Sequence, residues 1–242
     1  MPAVSRRRPI VLDAAQLTGR SDSHVREFQF SDDSGFFAHP EAALAFLRLR
    51  EAAAAERIDL RPASVFRSFD GQLRIWRAKW QGLRPLYDAD GQPMDHASLS
   101  EAELIDAILE WSALPGASRH HWGSEFDVFD LAAMPADYRL QLLPAEYAPE
   151  GVFAYLNAWL DRNMARFGFF RPYDCERGGL HVEPWHLSYA PVSVPALAAL
   201  TPALIREALL TEPIDGQALL LERIDSIHAR QVCLVGAPAT LA

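Results

Sequence analysis

Pro184 narrows what this chain can fold into more than any other residue. It directly follows Glu183 in His181-Val-Glu-Pro-Trp-His186, a segment that superficially follows the HExxH pattern of zinc-binding helices. Inside a helix a proline removes a backbone hydrogen bond and clashes with the preceding turn, at a cost of roughly 3 kcal/mol. The segment is therefore expected on a turn or strand end, where Glu183 and His186 can converge on one site without helical geometry.

Ser118-Arg-His-His-Trp-Gly-Ser-Glu-Phe-Asp127 is the second place where histidine and carboxylate concentrate. His120 and Asp127 are seven apart, an odd separation that places side chains on opposite faces of an unbroken strand. Gly123 tolerates backbone conformations closed to other residues, so a local break is predicted there, bringing both side chains to one site. A hydrolytic zinc site needs three nitrogen or oxygen ligands, an open position for water, and a nearby base that is not a ligand. Together the two segments contain residues for all of these roles.

The rest of the chain reads as helices and extended runs in alternation. Pro40 to Glu56 combines a proline suited to a first helical position with strong helix formers. Ile58 to Phe66 reads as a strand and Leu73 to Trp80 as an amphipathic helix. Ser100 with Glu103 makes a capping box ahead of Leu104, Ile105, Ile108 and Leu109, in a helix that runs to about Trp111. Ala117 to Phe129 has the alternating look of a strand broken near Gly123. Val152, Phe153, Leu156, Trp159, Leu160 and Met164 recur at helical spacing. Phe167 to Tyr173 and Leu180 to Tyr189 read as extended, followed by helices at about 196–210 and 216–228 and a short apolar run, Gln231 to Val235. Residues 1–38 read as an irregular N-terminal segment. No repeat or linker cuts the chain, so residues 1–242 are expected to form a single domain with a helical C-terminal extension over about 195–242. This order implies an α+β class with a mainly antiparallel sheet flanked by helices.

Half of the 242 residues are hydrophobic, enough for one well-buried core. A net charge of -9 argues against a protein that grips nucleic acid or an anionic membrane, and favours small or peptide ligands. Lys79 is the only lysine, an arginine bias from which no function is read. Cys175 and Cys233 lie far apart, so neither a disulfide framework nor a thiolate zinc site is expected, and whether the two pair stays open. Arg6, Arg7 and Arg8 precede an apolar stretch that Asp13 breaks too soon for a signal peptide, and no stretch reaches the length of a membrane span. The expectation is a soluble monomer, cytoplasmic as written, or periplasmic or extracellular if a leader is removed.

On these residues the sequence resembles the VanY-type D-alanyl-D-alanine carboxypeptidases, whose relatives include D,D-dipeptidases and phage endolysin peptidases and which share the fold of the hedgehog signalling domain. The family's S-x-H-x-x-G-x-A-x-D motif is matched by Ser118, His120, Gly123 and Asp127, and its E-x-W-H motif by Glu183, Trp185 and His186. An upstream Y-R-S-x-x-x-Q-like element is matched by Arg67, Ser68 and Gln72. Three motifs in the family's order, over about residues 58–190, are far more specific than any one alone.

The resemblance implies a hedgehog/D,D-peptidase-like fold, zinc bound by His120, Asp127 and His186, and Glu183 as general base and then acid. It implies that Arg67 steadies the scissile carbonyl or the developing oxyanion. Ser118 and Gln72 would help hold the substrate's terminal carboxylate or backbone. The implied activity is zinc-dependent hydrolysis of peptidoglycan stem peptides that end in D-Ala-D-Ala. An endopeptidase or D,D-dipeptidase with the same site, or a non-catalytic metal-binding recognition module, are the alternatives. Glu125 departs from the motif, standing where the family has a small residue. On a strand it shares a face with Asp127, and it is read as solvent-facing rather than as tuning the zinc. His24, His39, His96, His121 and His228 are read as structural, and His181 is left open between structure and orienting a ligand. The six tryptophans are read as core or pocket wall.

Overall fold

Residues 10–88 and 91–239 are described by the computed structural model of the chain. Asp13 and Gln16 close a capping box around a one-turn helix, α1 (Ala14–Leu17). A hairpin follows, β1 (Arg26–Gln29) against β2 (Gly35–Ala38), and Phe36 packs edge-on against Phe46 and Phe126. The expectation of an irregular segment to residue 38 is thus corrected for its described part, because Phe36 supplies the hairpin with a core anchor. Arg6, Arg7 and Arg8 lie outside the described residues.

Pro40 opens α2 (Pro40–Ala54) behind the N-cap His39, and the helix buries Phe46 and Leu49. β3 (Leu60–Ser64) accommodates Pro62 because it is an edge strand whose register shifts between Pro62 and Ser64. The hydroxyl of Ser68 caps α3 (Phe69–Trp80), which therefore starts earlier than Leu73. α4 (Glu101–Trp111) starts on the Ser100–Glu103 box. Next come β4 (Glu125–Asp130), α5 (Pro144–Tyr147), α6 (Ala154–Asn163), β5 (Phe169–Phe170) and β6 (His186–Tyr189). Three helices follow, α7 (Ala190–Ala199), α8 (Pro202–Leu210) and α9 (Gln217–Ile227), and then a π-helical turn over His228–Val232.

Three further expectations are corrected here. Ala117 to Phe129 is not a broken strand throughout: Arg119–Trp122 forms a 3₁₀ turn and only Glu125 onward is β. Leu180 to Tyr189 becomes strand only at His186, because Pro184 holds the preceding residues in a turn. The helix expected over 196–210 is two. Thr201 caps α8 through its side chain, and Pro202 disfavours helical backbone in the residue before it.

The main sheet has the order β3-β4-β6-β5, with every pairing antiparallel. β4 alternates its faces. Phe126 enters the core, stacked on Phe46 at 4.5 Å between ring centroids, while Glu125 and Asp127 point to the other face. Asp127 pairs with His186 and Glu125 with Ser188 across β4 and β6, so these four side chains share that face. Buried apolar residues form one cluster running from Leu12 to Val232. Among the described residues no single helix is long and apolar enough to cross a membrane; only α7 and α8 together, bent by 81°, pass on length and composition.

Gly123 adopts φ 65°, the left-handed region, directly after the 3₁₀ turn. A Cβ there would meet Val25 Cγ1 at 2.6 Å and His39 N at 2.8 Å. The predicted break is therefore present, and it serves two needs at once, backbone conformation and close approach. Gly123→Ala is expected to cost about 2 kcal/mol or more, read as a fall in the denaturant midpoint; an unchanged midpoint would remove the steric argument.

Candidate active site

Three elements bring the site together. The 3₁₀ turn carries His120, β4 carries Asp127, and the turn before β6 presents Glu183 while the strand itself begins with His186. His120 Nε2 lies 3.2 Å from Asp127 Oδ2, and His186 Nδ1 lies 2.9 Å from Asp127 Oδ1. The two imidazoles stand edge to face, 5.0 Å between centroids. One ligand atom from each of His120, Asp127 and His186 falls within 4.8 Å of the others, a spacing compatible with a single ion held by bonds of about 2 Å.

The hydrogen bonds around these residues dictate which atoms are free. His120 Nδ1–H donates to the Val65 carbonyl at 2.6 Å, leaving Nε2 with its lone pair toward Asp127. His186 Nε2 lies 2.9 Å from Glu125 Oε2 and donates to it, leaving Nδ1 turned inward. Both arrangements orient an imidazole by its far nitrogen, as metal-ligating histidines require. His186 Nδ1 and Asp127 Oδ1 are both buried and lack hydrogen-bond partners although they are 2.9 Å apart. Buried polar atoms are seldom left unsatisfied, so this orphaned pair fits a cation.

Electrostatics agree. Burial would lower His186, but the Asp127 and Glu125 carboxylates outweigh it and push the imidazole up to about 10. Burial would raise Asp127, yet His120 and His186 hold its carboxyl far below the usual range. The Asp127 and Glu125 carboxylates thus set a negative potential at this point, one that draws positive charge. Glu183 differs: burial, with Asp127 beside it, pushes its carboxyl up to about 7 against the opposing pull of His186. Its Oε2 lies 3.4 Å from His186 Nδ1, adjacent to the ligand set but not part of it. Its backbone N–H donates to Tyr173 O at 3.0 Å.

All of this opens on a cavity of about 520 Å³ that Arg67, Ser118, His120, Asp127, Glu183 and His186 line together. Arg67 donates to Gln72 Oε1 at 2.8 Å and to Ser64 Oγ at 2.9 Å, which aims its guanidinium. Gln72 stands one layer back: it is buried, and its Nε2 donates to Ala113 O at 2.7 Å. The fold thus gives Gln72 the task of positioning Arg67. Ser118 is buried on the cavity wall, and its hydroxyl makes no capping bond to the 3₁₀ turn.

Glu125 is the main correction to the sequence reading. It is 0% exposed, not solvent-facing. Arg119 donates to it through Nε at 3.2 Å, and the hydroxyls of Ser124 and Ser188 each donate at 2.9 Å. Burial would raise its carboxyl, but Arg119 and His186 outweigh that and hold it at about 2. A buried carboxylate so fully bonded is a fixed acceptor for His186. If the ligand set holds a divalent metal, Glu125→Gln is expected to weaken its binding about 10- to 100-fold, measured by competition with a calibrated chelator. An affinity equal to that of the parent chain would mean that the contact does not support the site.

The structural histidines fall as expected. His121 Nδ1–H donates to Arg67 O at 2.6 Å while Nε2 accepts from Gly116 N–H at 3.1 Å, and burial pushes it down to about 3. His24, His39, His96 and His228 bond to backbone groups away from the ligand set. His181 stacks on Trp111 at 4.5 Å and is flanked by Glu110 and Glu176, so it orients no ligand. Trp111 and Trp185 line the cavity, and Trp76, Trp122 and Trp159 lie in the core. Cys175 and Cys233 are both free and exposed. Sequence reading missed Lys79, Arg84, Arg119 and Tyr173 on the cavity wall. Only Lys79, as the sole lysine, and Arg119, beside His120, carried any signal.

Residues 36–192 match the family profile described as VanY, D-alanyl-D-alanine carboxypeptidase. Two proteins of Haemophilus influenzae, both named only as uncharacterized, are similar to this chain. One is 35% identical over 121 residues, 49% of this chain and 92% of that protein. The other is 37% identical over 103 residues, 43% and 70% respectively. Among solved structures, VanYB in complex with D-alanine-D-alanine has a TM-score of 0.49 and 23% identity over 86% of this chain and 96% of that one. A Zn(II) complex of the vancomycin-resistance D,D-pentapeptidase VanY has a TM-score of 0.48 and 22% identity over 84% and 95%.

Proposed function

Because the chain belongs to the VanY D-alanyl-D-alanine carboxypeptidase family, we propose that it is a zinc-dependent peptidase removing the terminal D-alanine from peptidoglycan stem peptides that end in D-Ala-D-Ala. One observation carries this reading: His120, Asp127 and His186 converge on a single cavity with a non-ligating carboxylate, Glu183, beside them. Zinc bound by those three residues would supply Lewis acidity, bringing the pKa of a water toward about 7 and polarising the scissile carbonyl.

The chain's own groups do the remainder. Glu183 accepts the proton of the attacking water and returns it to the leaving amine, a task suited to a carboxyl pushed up to about 7. Arg67, held by Gln72 and Ser64, faces the oxygen on which negative charge develops. The hydroxyl of Ser118, without a cap bond of its own, is available to the substrate's carboxylate or backbone. Glu183 also favours an enzyme over a metal-binding recognition module, since a binder needs no base beside its ion.

The test is release of D-alanine from a muramyl pentapeptide. Chelation is expected to abolish release and added zinc to restore it, and a reconstitution series with other divalent ions ranks the native metal. Undiminished release from the metal-free chain would overturn the reading.

A further inference from the structure

Glu183 sits on a turn that has space on both sides. Alternate residues of this turn line different cavities: Glu183 and Trp185 line the one described above, whereas Val182 and Pro184 line a second, of about 480 Å³. A segment between two cavities lacks some of the close-packed neighbours that fix most of a protein interior. Directional bonds then have to set where the Glu183 carboxylate stands. Arg171, directly after β5, lines the second cavity and reaches the turn from that side.

Arg171 Nε donates to the Pro184 carbonyl at 2.7 Å. Two residues further along, Tyr173 O accepts the Glu183 N–H at 3.0 Å. These two bonds bracket the Cα from which the Glu183 side chain projects, one on its own amide and one on the carbonyl of the next residue. The guanidinium is itself anchored. Its Nη2 donates to Asn157 Oδ1 at 2.7 Å, and its Nη1 pairs with Asp161. Asn157 and Asp161 stand four apart on α6 and so share a face of the helix, while Asn157 Nδ2 donates to Tyr147 O at 2.9 Å, which fixes its amide. The Arg171 side chain is 9% exposed. All three of its nitrogens are thus engaged in tying helix to turn, a task that suits a rigid planar fork.

We propose that Arg171 is a positioning residue for the base: by fixing the Pro184 carbonyl to α6 it sets the reach of the Glu183 carboxylate toward the attacking water. This deepens the peptidase reading and rests on it for the kinetic consequence. Arg171 does not line the catalytic cavity, so it acts only through the turn.

The experiment combines kinetics with amide hydrogen exchange on the zinc-loaded full chain and its Arg171→Ala and Arg171→Lys variants. Misplacing a reacting group by about 1 Å costs on the order of 10²-fold, so Arg171→Ala is expected to lower kcat by about that factor, with KM and zinc content unchanged. Arg171→Lys keeps the buried charge but cannot span three acceptors; it should lower kcat about tenfold, and it keeps the test decisive where the alanine variant does not fold. In both variants the Glu183 and His186 amides, bonded in the parent to Tyr173 O and Glu183 O, should exchange faster while those of α4 do not, a local change that general destabilisation would not give. Parent-level kcat in the folded variants, or unchanged exchange at those two amides, refutes the positioning role and leaves the peptidase standing. Loss of zinc, or a rise in KM alone, overturns it too, because Arg171 would then support the ligand set or the substrate and not the base. A parent chain that releases no D-alanine sinks the peptidase reading and with it the kinetic consequence, while the exchange measurement still decides whether Arg171 holds the turn.

Discussion

Replacing Glu183 with glutamine is expected to lower kcat by about 10² to 10⁴-fold, the range a positioned general base contributes, while zinc stays bound. Glutamine keeps the volume and the backbone N–H bond to Tyr173 O, but its amide cannot accept and return a proton. Glu183 Oε2 lies 3.4 Å from His186 Nδ1, close enough that a ligand role has to be separated from a base role. Two readings on the same sample do so: kcat at saturating zinc, and zinc content after dialysis. A base gives low turnover with full zinc, whereas loss of zinc would make Glu183 a ligand. Parent-level turnover would end the proposed chemistry.

His186→Ala is expected to do the reverse and lose the metal itself. Only His120 and Asp127 would remain as ligands, and the Glu125 carboxylate would lose its imidazole donor. Removing one partner from a buried charged set costs about 3–5 kcal/mol, so the variant should also melt earlier. For the parent chain, zinc at a thousandfold excess over its Kd adds about 4 kcal/mol, roughly 10 °C in Tm for a protein of this size. The alanine variant should gain none of it. Scanning calorimetry with and without zinc separates the two effects, and a zinc-dependent rise in the variant equal to that of the parent would exclude His186 as a ligand.

Much of the site was legible because its signals are local. Pro184 disfavours a helix interior wherever the segment sits, and Gly123 marks a backbone turn that a side chain would block. The Ser100–Glu103 box and the Ser68 cap are likewise written within a few residues. Glu125 was misread for the opposite reason. Strand alternation put it on the face of Asp127, but whether that face meets water depends on β6 and on the Arg119 guanidinium that neutralises it. Lys79 was passed over because composition explains a rare lysine as readily as function does, and only the cavity shows what it faces.

His120 and His121 mark the boundary between the two kinds of information. Adjacent and both buried, they are told apart in the sequence as a site residue and a structural one, but only the fold supplies their partners: one turns toward Asp127 and the other bonds the backbone of Arg67 and Gly116. By itself the amino-acid sequence determined which residues gather at the cavity, the break at Gly123 and the α+β class, since each follows from short-range sterics or from motif order. Tertiary structure alone decided which nitrogen of each imidazole is free, that Glu125 is buried against His186, and which cations face the cavity. Those depend on long-range desolvation and on charges brought together by strand pairing, neither of which a residue carries in its neighbours along the chain.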